Sequence, residues 1–132
     1  RRGFLKAAND YEYITMEGSG GILCPLCFDE RKIPLEDVIK EFKLSSILVA
    51  DAGLGTINSV VLTAEYMKAH SLPIKGIIFN HYHPGNIMEE DNIAMCRHMT
   101  GLPVIAKVQD HAKDLEIDAD ALAEFYDEVK IK

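Results

Sequence analysis

The chain has 132 residues, 48% of them hydrophobic, which is the length of a single domain with enough apolar side chains for a core. Its 14 Lys and Arg against 21 Asp and Glu give a net charge of −7, and this argues against nucleic acid or an anionic membrane as a partner, because both require a basic face. The lack of a membrane-length apolar run and the odd number of cysteines, 3, favour a cytoplasmic protein in a reducing compartment.

Short apolar runs alternate with helical patterns along the chain. Residues 4–8 have the pattern of the end of a helix. Strands are predicted at residues 13–16, 47–50, 76–80 and 104–108, and helices at residues 35–42, 57–67, 87–99 and 119–129. Continuous apolar runs are typical of strands that are buried on both faces of a parallel sheet. The alternation therefore predicts an α/β fold with right-handed crossovers.

The phosphate-binding loop of nucleotide-binding α/β proteins has no counterpart in the sequence. No stretch matches G-x-x-x-x-G-K-[ST], and no Gly-Lys pair occurs in the chain. Either the domain binds no nucleotide, or its nucleotide-binding half lies outside this chain. The acidic tail after Lys113 favours a solvated face over a binding region.

The strongest local signal is a carboxylate at the predicted end of the first strand. Glu17 follows the apolar residues 13–16 and precedes a glycine-rich stretch at residues 18–21. Ligands of parallel α/β sheets bind at the carboxyl ends of strands, where a carboxylate can hold Mg²⁺ beside phosphates and glycine backbone can approach a ligand closely. A helix-capping acid followed by a flexible turn explains the same residues, so both interpretations stay open.

A second candidate is the loop of residues 51–58, Asp-Ala-Gly-Leu-Gly-Thr-Ile-Asn, between a predicted strand and a predicted helix. It matches the dinucleotide fingerprint G-x-G-x-x-G only in part, since Asn58 replaces the third glycine. The backbone N–H groups of Thr56, Ile57 and Asn58 at a helix N-terminus suit a carboxylate or phosphate. A tight turn with a Thr or Asn cap explains the loop equally well.

Two further motifs contain residue types that bind ligands. Asn80 ends the third predicted strand, and its side-chain amide matches the hydrogen-bonding edge of adenine. His81 and His83 follow, but without a third metal ligand nearby, solvated loop histidines are the favoured interpretation. Cys24 and Cys27 have the C-x-x-C spacing, and ordinary half-buried thiols are favoured over zinc or redox chemistry because a polar loop follows them.

The ordered set of motifs, more than any single one, carries a family resemblance. The set comprises residues 17–26 (Glu-Gly-Ser-Gly-Gly-x-x-x-Pro-Leu), residues 53–58 (Gly-Leu-Gly-Thr-Ile-Asn), Leu62-Thr63 and residues 76–80 (Gly-Ile-Ile-Phe-Asn). It resembles dethiobiotin synthetase over roughly residues 10–112. The resemblance implies a P-loop NTPase-like α/β fold, in which residues 1–132 form a single domain fragment that is incomplete at its N-terminus.

The resemblance also implies an activity. Dethiobiotin synthetase is a homodimeric cyclo-ligase of biotin biosynthesis that uses ATP and Mg²⁺ to join CO₂ to 7,8-diaminononanoate and close the ureido ring. By position, Glu17 resembles its Mg²⁺ ligand and Asn80 its adenine-reading residue. The residues expected at the nucleotide are Glu17, Gly18, Ser19, Gly20, Asn80, His81, Gln109, Asp110 and His111. Thr56, Ile57 and Asn58 resemble the helix N-terminus that receives the substrate carboxylate from the neighbouring subunit.

Some positions depart from the family pattern. Gln109 stands where relatives usually have Pro, and His81 where an Asp is common. The P-loop and the catalytic Lys of the family would precede Arg1, so no catalytic residue is assigned here and the chain alone is expected to be inactive. Two alternatives stay open: a regulatory or binding domain of this fold, and a cobyrinate amidotransferase-type synthetase domain. An upstream P-loop would favour the enzyme over the binding domain.

Overall fold

The computed structural model describes residues 1–18 and 20–128. It divides into two compact units, one formed by Arg1–Leu44 with residues 126–128 and the other by Ser45–Phe125. No helix in the described ranges is both long and apolar enough to cross a bilayer. Each unit is built around its own secondary structure.

The first unit contains two helices and a small antiparallel hairpin. Its elements are α1 (Arg2–Asp10), β1 (Pro25–Cys27), β2 (Ile33–Pro34) and α2 (Leu35–Phe42). The apolar stripe of α2 buries Leu35 and Ile39, and the Phe4 ring of α1 stacks on Phe42 with centroids 4.1 Å apart. Both predicted helices are confirmed, whereas the hairpin strands, three and two residues long, are too short to show a pattern that would have predicted them.

The predicted strand at residues 13–16 is wrong. This segment is extended but has no strand partner among the described residues. Its contacts are made by side chains instead: the Thr15 and Tyr126 hydroxyl oxygens lie 2.6 Å apart, and the Tyr13 and Tyr126 rings meet edge to face. An apolar run becomes a strand only where a neighbouring strand pairs with its N–H and C=O groups.

The second unit is a parallel sheet with helical connections. Its elements are β3 (Ser46–Asp51), α3 (Thr56–Ala69), β4 (Ile74–Asn80), α4 (Ile87–Thr100), β5 (Val104–Lys107) and α5 (Ala119–Ala123). The strand order is β3-β4-β5, with both pairs parallel. These strands and the helices α3 and α4 confirm the predicted α/β class.

The core of the second unit lies on one face of this sheet. Ile77 and Phe79 of β4 are fully buried, and they cluster with Val60 of α3 and Cys96 of α4. Val49, whose side chain points to the opposite face of the sheet from its neighbours in β3, is 69% exposed. The prediction that the strands are buried on both faces is therefore wrong for β3, because α3 and α4 contribute to the same cluster.

The last helix is shorter than predicted. Asp118 caps α5 by accepting hydrogen bonds from the backbone N–H groups of Asp120 (2.8 Å) and Ala121 (3.3 Å). The helix ends at Ala123 and buries no residue, so no packed face extends it. Residue 129, the predicted end, lies outside the described residues.

Candidate functional site

The loops that follow the three parallel strands are joined by backbone hydrogen bonds at the carboxyl edge of the sheet. The Ala52 N–H donates to the Asn80 carbonyl oxygen at 2.9 Å. The Val108 N–H donates to the Phe79 carbonyl at 2.7 Å, and the Tyr82 N–H donates to the Val108 carbonyl at 2.9 Å. This edge is where open α/β sheets bind ligands.

Asp51 sets the shape of the loop between β3 and α3. One carboxylate oxygen accepts a hydrogen bond from the Gly53 N–H at 2.7 Å, and the other lies 2.9 Å from His81 Nδ1. The Gly53 hydrogen bond and then the His81 contact hold the pKa of Asp51 below its usual value. Gly55, with φ +87°, is the N-cap of α3 and offers no side chain, so the alternative explanation of the loop by a Thr or Asn cap is wrong.

The N-terminus of α3 presents unpaired backbone donors. Thr56 N–H makes a long contact of 3.4 Å to the Gly53 carbonyl, and the N–H groups of Ile57 and Asn58 have no backbone acceptor among residues 1–18 and 20–128. The Thr56 side chain is 3% exposed, and its hydroxyl is a buried polar group without a hydrogen-bond partner in that part of the chain. Asn58 is exposed.

A residue that the sequence did not identify fixes the same loop. Asn92 of α4 donates its side-chain amide to the Ala52 carbonyl at 3.1 Å and to the Gly53 carbonyl at 3.0 Å. It is thirty-nine and forty positions away from these partners. A single Asn within a helical pattern carries no signal for such a distant contact.

Asn80 and His81 lie at the tip of β4. Asn80 is half-buried, and its side-chain amide makes no hydrogen bond with a described residue. His81 has a left-handed backbone, φ +51°, and its ring faces Asp51. Asn80 thus has free donors and an acceptor at the sheet edge, whereas His81 already has a carboxylate partner.

His83 lies between two carboxylates. Its Nδ1 is 2.9 Å from Glu89 Oε1, its backbone N–H donates to Glu89 Oε2 at 2.6 Å, and its Nε2 is 3.2 Å from Asp110 Oδ2. Glu89 has a side chain only 6% exposed and also accepts from the Asn86 amide at 2.9 Å. Hydrogen bonds to Glu89 and then to Asp110 raise the pKa of His83, and the His83 N–H lowers that of Glu89. Both histidines are exposed loop residues, as the sequence indicated, but each also lies within hydrogen-bond distance of a carboxylate.

A second polar cluster ties α4 to β5. Lys107 Nζ lies 2.7 Å from Glu90 Oε2 and 4.8 Å from the centre of the Tyr82 ring, and the Tyr82 hydroxyl donates to Glu90. The Lys107 contact lowers the pKa of Glu90, and the Glu90 contact raises the pKa values of Lys107 and Tyr82. This cluster anchors the residues that flank the loop after β5.

That loop contains the other predicted nucleotide contacts. Gln109, Asp110 and His111 are exposed, and His111 has a left-handed backbone with φ +62°. The Ala112 N–H donates to the Gln109 carbonyl at 3.2 Å, which closes a turn. The side chains of the turn therefore stand at the same sheet edge as Asn80.

In the first unit, Glu17 and Gly18 are exposed, and Glu17 forms no hydrogen bond or ion pair with a described residue. A Cβ atom on Gly18 would lie 2.6 Å from Leu35 Cδ2, so the backbone is close to α2 there. Gly20, with φ +73°, accepts the Cys24 thiol hydrogen bond at its carbonyl (3.0 Å). Ser19 lies outside the described residues.

The cysteines are free thiols. In residues 1–18 and 20–128 no group of three or more His, Cys, Asp or Glu side chains is arranged to hold a metal ion. Cys96 is fully buried, and this burial raises its pKa. The C-x-x-C spacing of Cys24 and Cys27 therefore forms no metal cluster with other side chains in the described part of the chain.

Residues 3–115 match the family model of the AAA domain. The chain belongs to the AAA domain family. This family is P-loop NTPase-like, in agreement with the predicted fold class.

Curated relatives of this AAA-family chain are ATP-dependent dethiobiotin synthetases. One from Clostridium botulinum strain Alaska E43 is 45% identical over 124 residues, which cover 94% of the chain and 54% of the relative. One from strain Loch Maree is 43% identical over 129 residues (98% and 56%), and one from Brachyspira hyodysenteriae is 50% identical over 101 residues (76% and 46%). The resemblance to dethiobiotin synthetase is confirmed, and the chain spans about half the length of these relatives.

The AAA-family chain brings together most of the predicted site residues in its second unit. Asn80, His81 and the turn of residues 109–112 lie on loops joined at one sheet edge, next to the loop that leads into α3. Glu17, Gly18 and Gly20 belong to the first unit. The additional residues that hold the edge in shape are Asp51, His83, Glu89 and Asn92.

Proposed function

We propose that this chain is part of a longer ATP-dependent dethiobiotin synthetase, which carboxylates 7,8-diaminononanoate and closes the ureido ring of dethiobiotin. The observation that carries the proposal is 43–45% identity to enzymes of that name across nearly the whole chain. The P-loop and the catalytic Lys would come from the N-terminal half of the same enzyme, with residues 1–132 as a fragment of one domain. Free thiols support a reducing compartment such as the cytoplasm.

The adenine of ATP would bind at the tip of β4. The Asn80 amide has one acceptor and two donors free of described partners, and it is half-buried at the sheet edge where ligands bind. The turn of residues 109–112 is joined to this tip through Val108, which pairs with both Phe79 and Tyr82. Gln109, Asp110 and His111 would flank the base, and His81 would line the same edge.

Glu17 fits a magnesium ligand of a particular kind. Mg²⁺ at nucleotide sites is usually held by one or two carboxylates, the phosphates and water, so a many-sided protein cage is not required. Glu17 is one exposed carboxylate without a described partner. It lies beside Gly18 and Gly20, and because glycine has no side chain, the phosphates can come close to the backbone there. Bound there, the ion would neutralise charge on the phosphates.

The substrate carboxylate would bind at the N-terminus of α3. The N–H groups of Ile57 and Asn58 lack backbone acceptors, and no Lys or Arg occurs between Asp51 and Met67 to bind an anion in their place. These donors and the helix dipole favour a carboxylate. The unpartnered hydroxyl of Thr56 adds a third donor beside them.

A second copy of the enzyme would cover the outer face of α3, so that the site is shared between subunits. Leu54 is 94% exposed and Leu62 is 62% exposed, and with Ile57, Val61 and Met99 they line an open groove of about 430 Å³. Exposed apolar patches of this kind are typical of protein interfaces. The groove adjoins the α3 N-terminus, so the substrate carboxylate would reach that terminus from the partner's side.

The test is made in the complete protein that contains this chain. Purified wild-type protein should release ADP and phosphate and form dethiobiotin only when ATP, Mg²⁺, bicarbonate and the diamino acid are all present. Asn80→Ala leaves polar atoms of adenine unpaired, which costs roughly 1–3 kcal/mol and weakens ATP binding about five- to hundred-fold. Asn9→Ala, on the exposed surface of α1, is the matched control and should bind ATP normally. Dethiobiotin formation absent from the wild type, or equal ATP affinity in Asn80→Ala, contradicts the proposal.

A further inference from the structure

We infer that His83 is a positioning residue for the nucleotide site: its ring joins Glu89 at the start of α4 to Asp110 and so holds the loop after β5 beside the tip of β4. The inference rests on the proposed function for its link to ATP. It does not rest on it for the link between the two loops.

The geometry shows a chain of contacts from a fixed element to an exposed loop. Glu89 is held in the first turn of α4 by the Asn86 amide and the His83 N–H, and its side chain is 6% exposed. The other end of the His83 ring reaches Asp110 at 3.2 Å, where the carboxylate is 44% exposed. The backbone pairing of the two loops ends at Tyr82 and Val108, and the ring continues the connection beyond it. His83 is therefore the side-chain link between α4 and the turn of residues 109–112.

Both neighbours of the ring are acceptors, and this makes the link depend on a proton. Ionised carboxylates cannot donate, so only the imidazolium form, with two N–H groups, satisfies Glu89 and Asp110 together. In the neutral ring one nitrogen keeps its proton. The nearer and more buried Glu89 retains that donor, and the bare nitrogen then faces Asp110. Loss of the proton thus releases the exposed loop and leaves the contact to α4.

One further carboxylate, Asp51, acts on the ring in the same direction. Asp51, at the end of β3, interacts electrostatically with both His83 and Glu89 and adds a third negative charge. His81, two positions before His83 in the chain, is paired with Asp51 at 2.9 Å. The carboxylates of Glu89, Asp110 and Asp51 favour the charged form of His83, in agreement with its raised pKa. The bridged state is therefore the one present below that raised value.

The first test measures the loop itself in the complete protein that contains this chain, without nucleotide. We compare the hydrogen-exchange protection factor of the Ala112 amide at about pH 6 and about pH 8. The protection factor is already corrected for the pH dependence of the chemical exchange rate. In the wild type we expect about two- to five-fold more protection at the lower pH, the effect of an exposed ion pair. His83→Gln should show the lower Ala112 protection at both pH values. His98 is an exposed histidine of α4, and His98→Gln should behave as wild type. The amide of Phe79 in β4 is the reference for global stability.

The second test measures ATP binding by calorimetry in the complete protein at the same two pH values. His83→Gln should weaken binding about two- to five-fold at the lower pH, with little difference from wild type at the higher pH. A merely structural role would lower protection of Phe79 and weaken binding equally at both pH values, which overturns the inference. Ala112 protection that is unaffected by His83→Gln also overturns it. Failure of wild type to bind ATP overturns the proposed function, and the loop measurement then still decides whether His83 joins the two loops.

Discussion

We predict that the buried hydroxyl of Thr56 lowers the stability of the fold but contributes to binding of the substrate. Thr56 is 3% exposed, and its hydroxyl has no hydrogen-bond partner among the described residues. A buried polar group in that state carries a desolvation cost of about 1–3 kcal/mol that no hydrogen bond offsets. Thr56→Val keeps the branched shape and the similar helix propensity, and it removes the hydroxyl.

We therefore expect Thr56→Val to raise the free energy of unfolding of the 132-residue chain by about 1 kcal/mol. Urea unfolding followed by circular dichroism would show a higher midpoint with an unchanged slope. Thr63→Val is the matched control, since Thr63 lies on the same helix and is only half-buried; a change within about 0.5 kcal/mol is expected there. A destabilised Thr56→Val chain would refute the reasoning, because the hydroxyl would then have a stabilising partner.

In the complete enzyme the same substitution should weaken substrate binding, although it stabilises the fold. If the hydroxyl donates to the substrate carboxylate, Thr56→Val raises KM for the diamino acid by about two- to tenfold, as the loss of one hydrogen bond to a charged group does. The affinity for ATP should stay normal. Thr56→Asp is a poor test, because it places a carboxylate in a buried position and destabilises the fold.

Three further predictions concern packing, metal and pH. Gly76→Ala should destabilise the chain by about 1–3 kcal/mol in urea unfolding, because its Cβ would lie 2.8 Å from the Pro103 carbonyl oxygen; a stable variant would contradict that contact. Glu17→Gln in the complete enzyme should lower turnover, with partial recovery at high Mg²⁺, and wild-type turnover at low Mg²⁺ would remove the metal assignment. The ionised Glu89 stabilises the fold above its usual pKa of 4.5, and this stabilisation is lost as the pH falls through the lowered pKa of the folded state. The protonated His83 stabilises the fold below its usual pKa of 6.5, and this stabilisation is lost as the pH rises through the raised pKa of the folded state. The free energy of unfolding from urea titrations should thus decline on the alkaline side, and His83→Gln should flatten that decline.

Local patterns predicted a helix and a strand of the fold from their own residues. The helical stripe of residues 35–42 gave the bounds of α2, and the apolar run at residues 76–80 identified β4, which begins two residues earlier, at Ile74. The run at residues 13–16 has the same local appearance, yet no described strand pairs with it. Strand pairing depends on residues that are distant in the sequence, so an apolar run alone does not show whether a strand will form.

The candidate site divides in the same way. Asn80 could be proposed from the sequence because the end of a parallel strand is a recurrent ligand position. The contacts of Asn92 with Ala52 and Gly53 could not be predicted, because these residues are forty and thirty-nine positions apart. The same holds for the contact between His83 and Asp110, which are twenty-seven positions apart. Such contacts depend on how α4 and the loop after β5 return to the sheet edge. The residues that hold a site in shape are in this case less visible in sequence than those that would touch the ligand.

The one-sided burial of the sheet has a practical consequence for handling the chain. Within the described residues β3 is the first strand of the sheet, with its outer edge unpaired, and residues 46–50 carry no charge or proline. An uncharged edge of this kind, next to the exposed Val49, is a template for pairing with other chains and hence for aggregation. Asp51 is the first charged residue along it and lies at its very end. A lysine in place of Val49 should therefore increase the yield of soluble chain on expression.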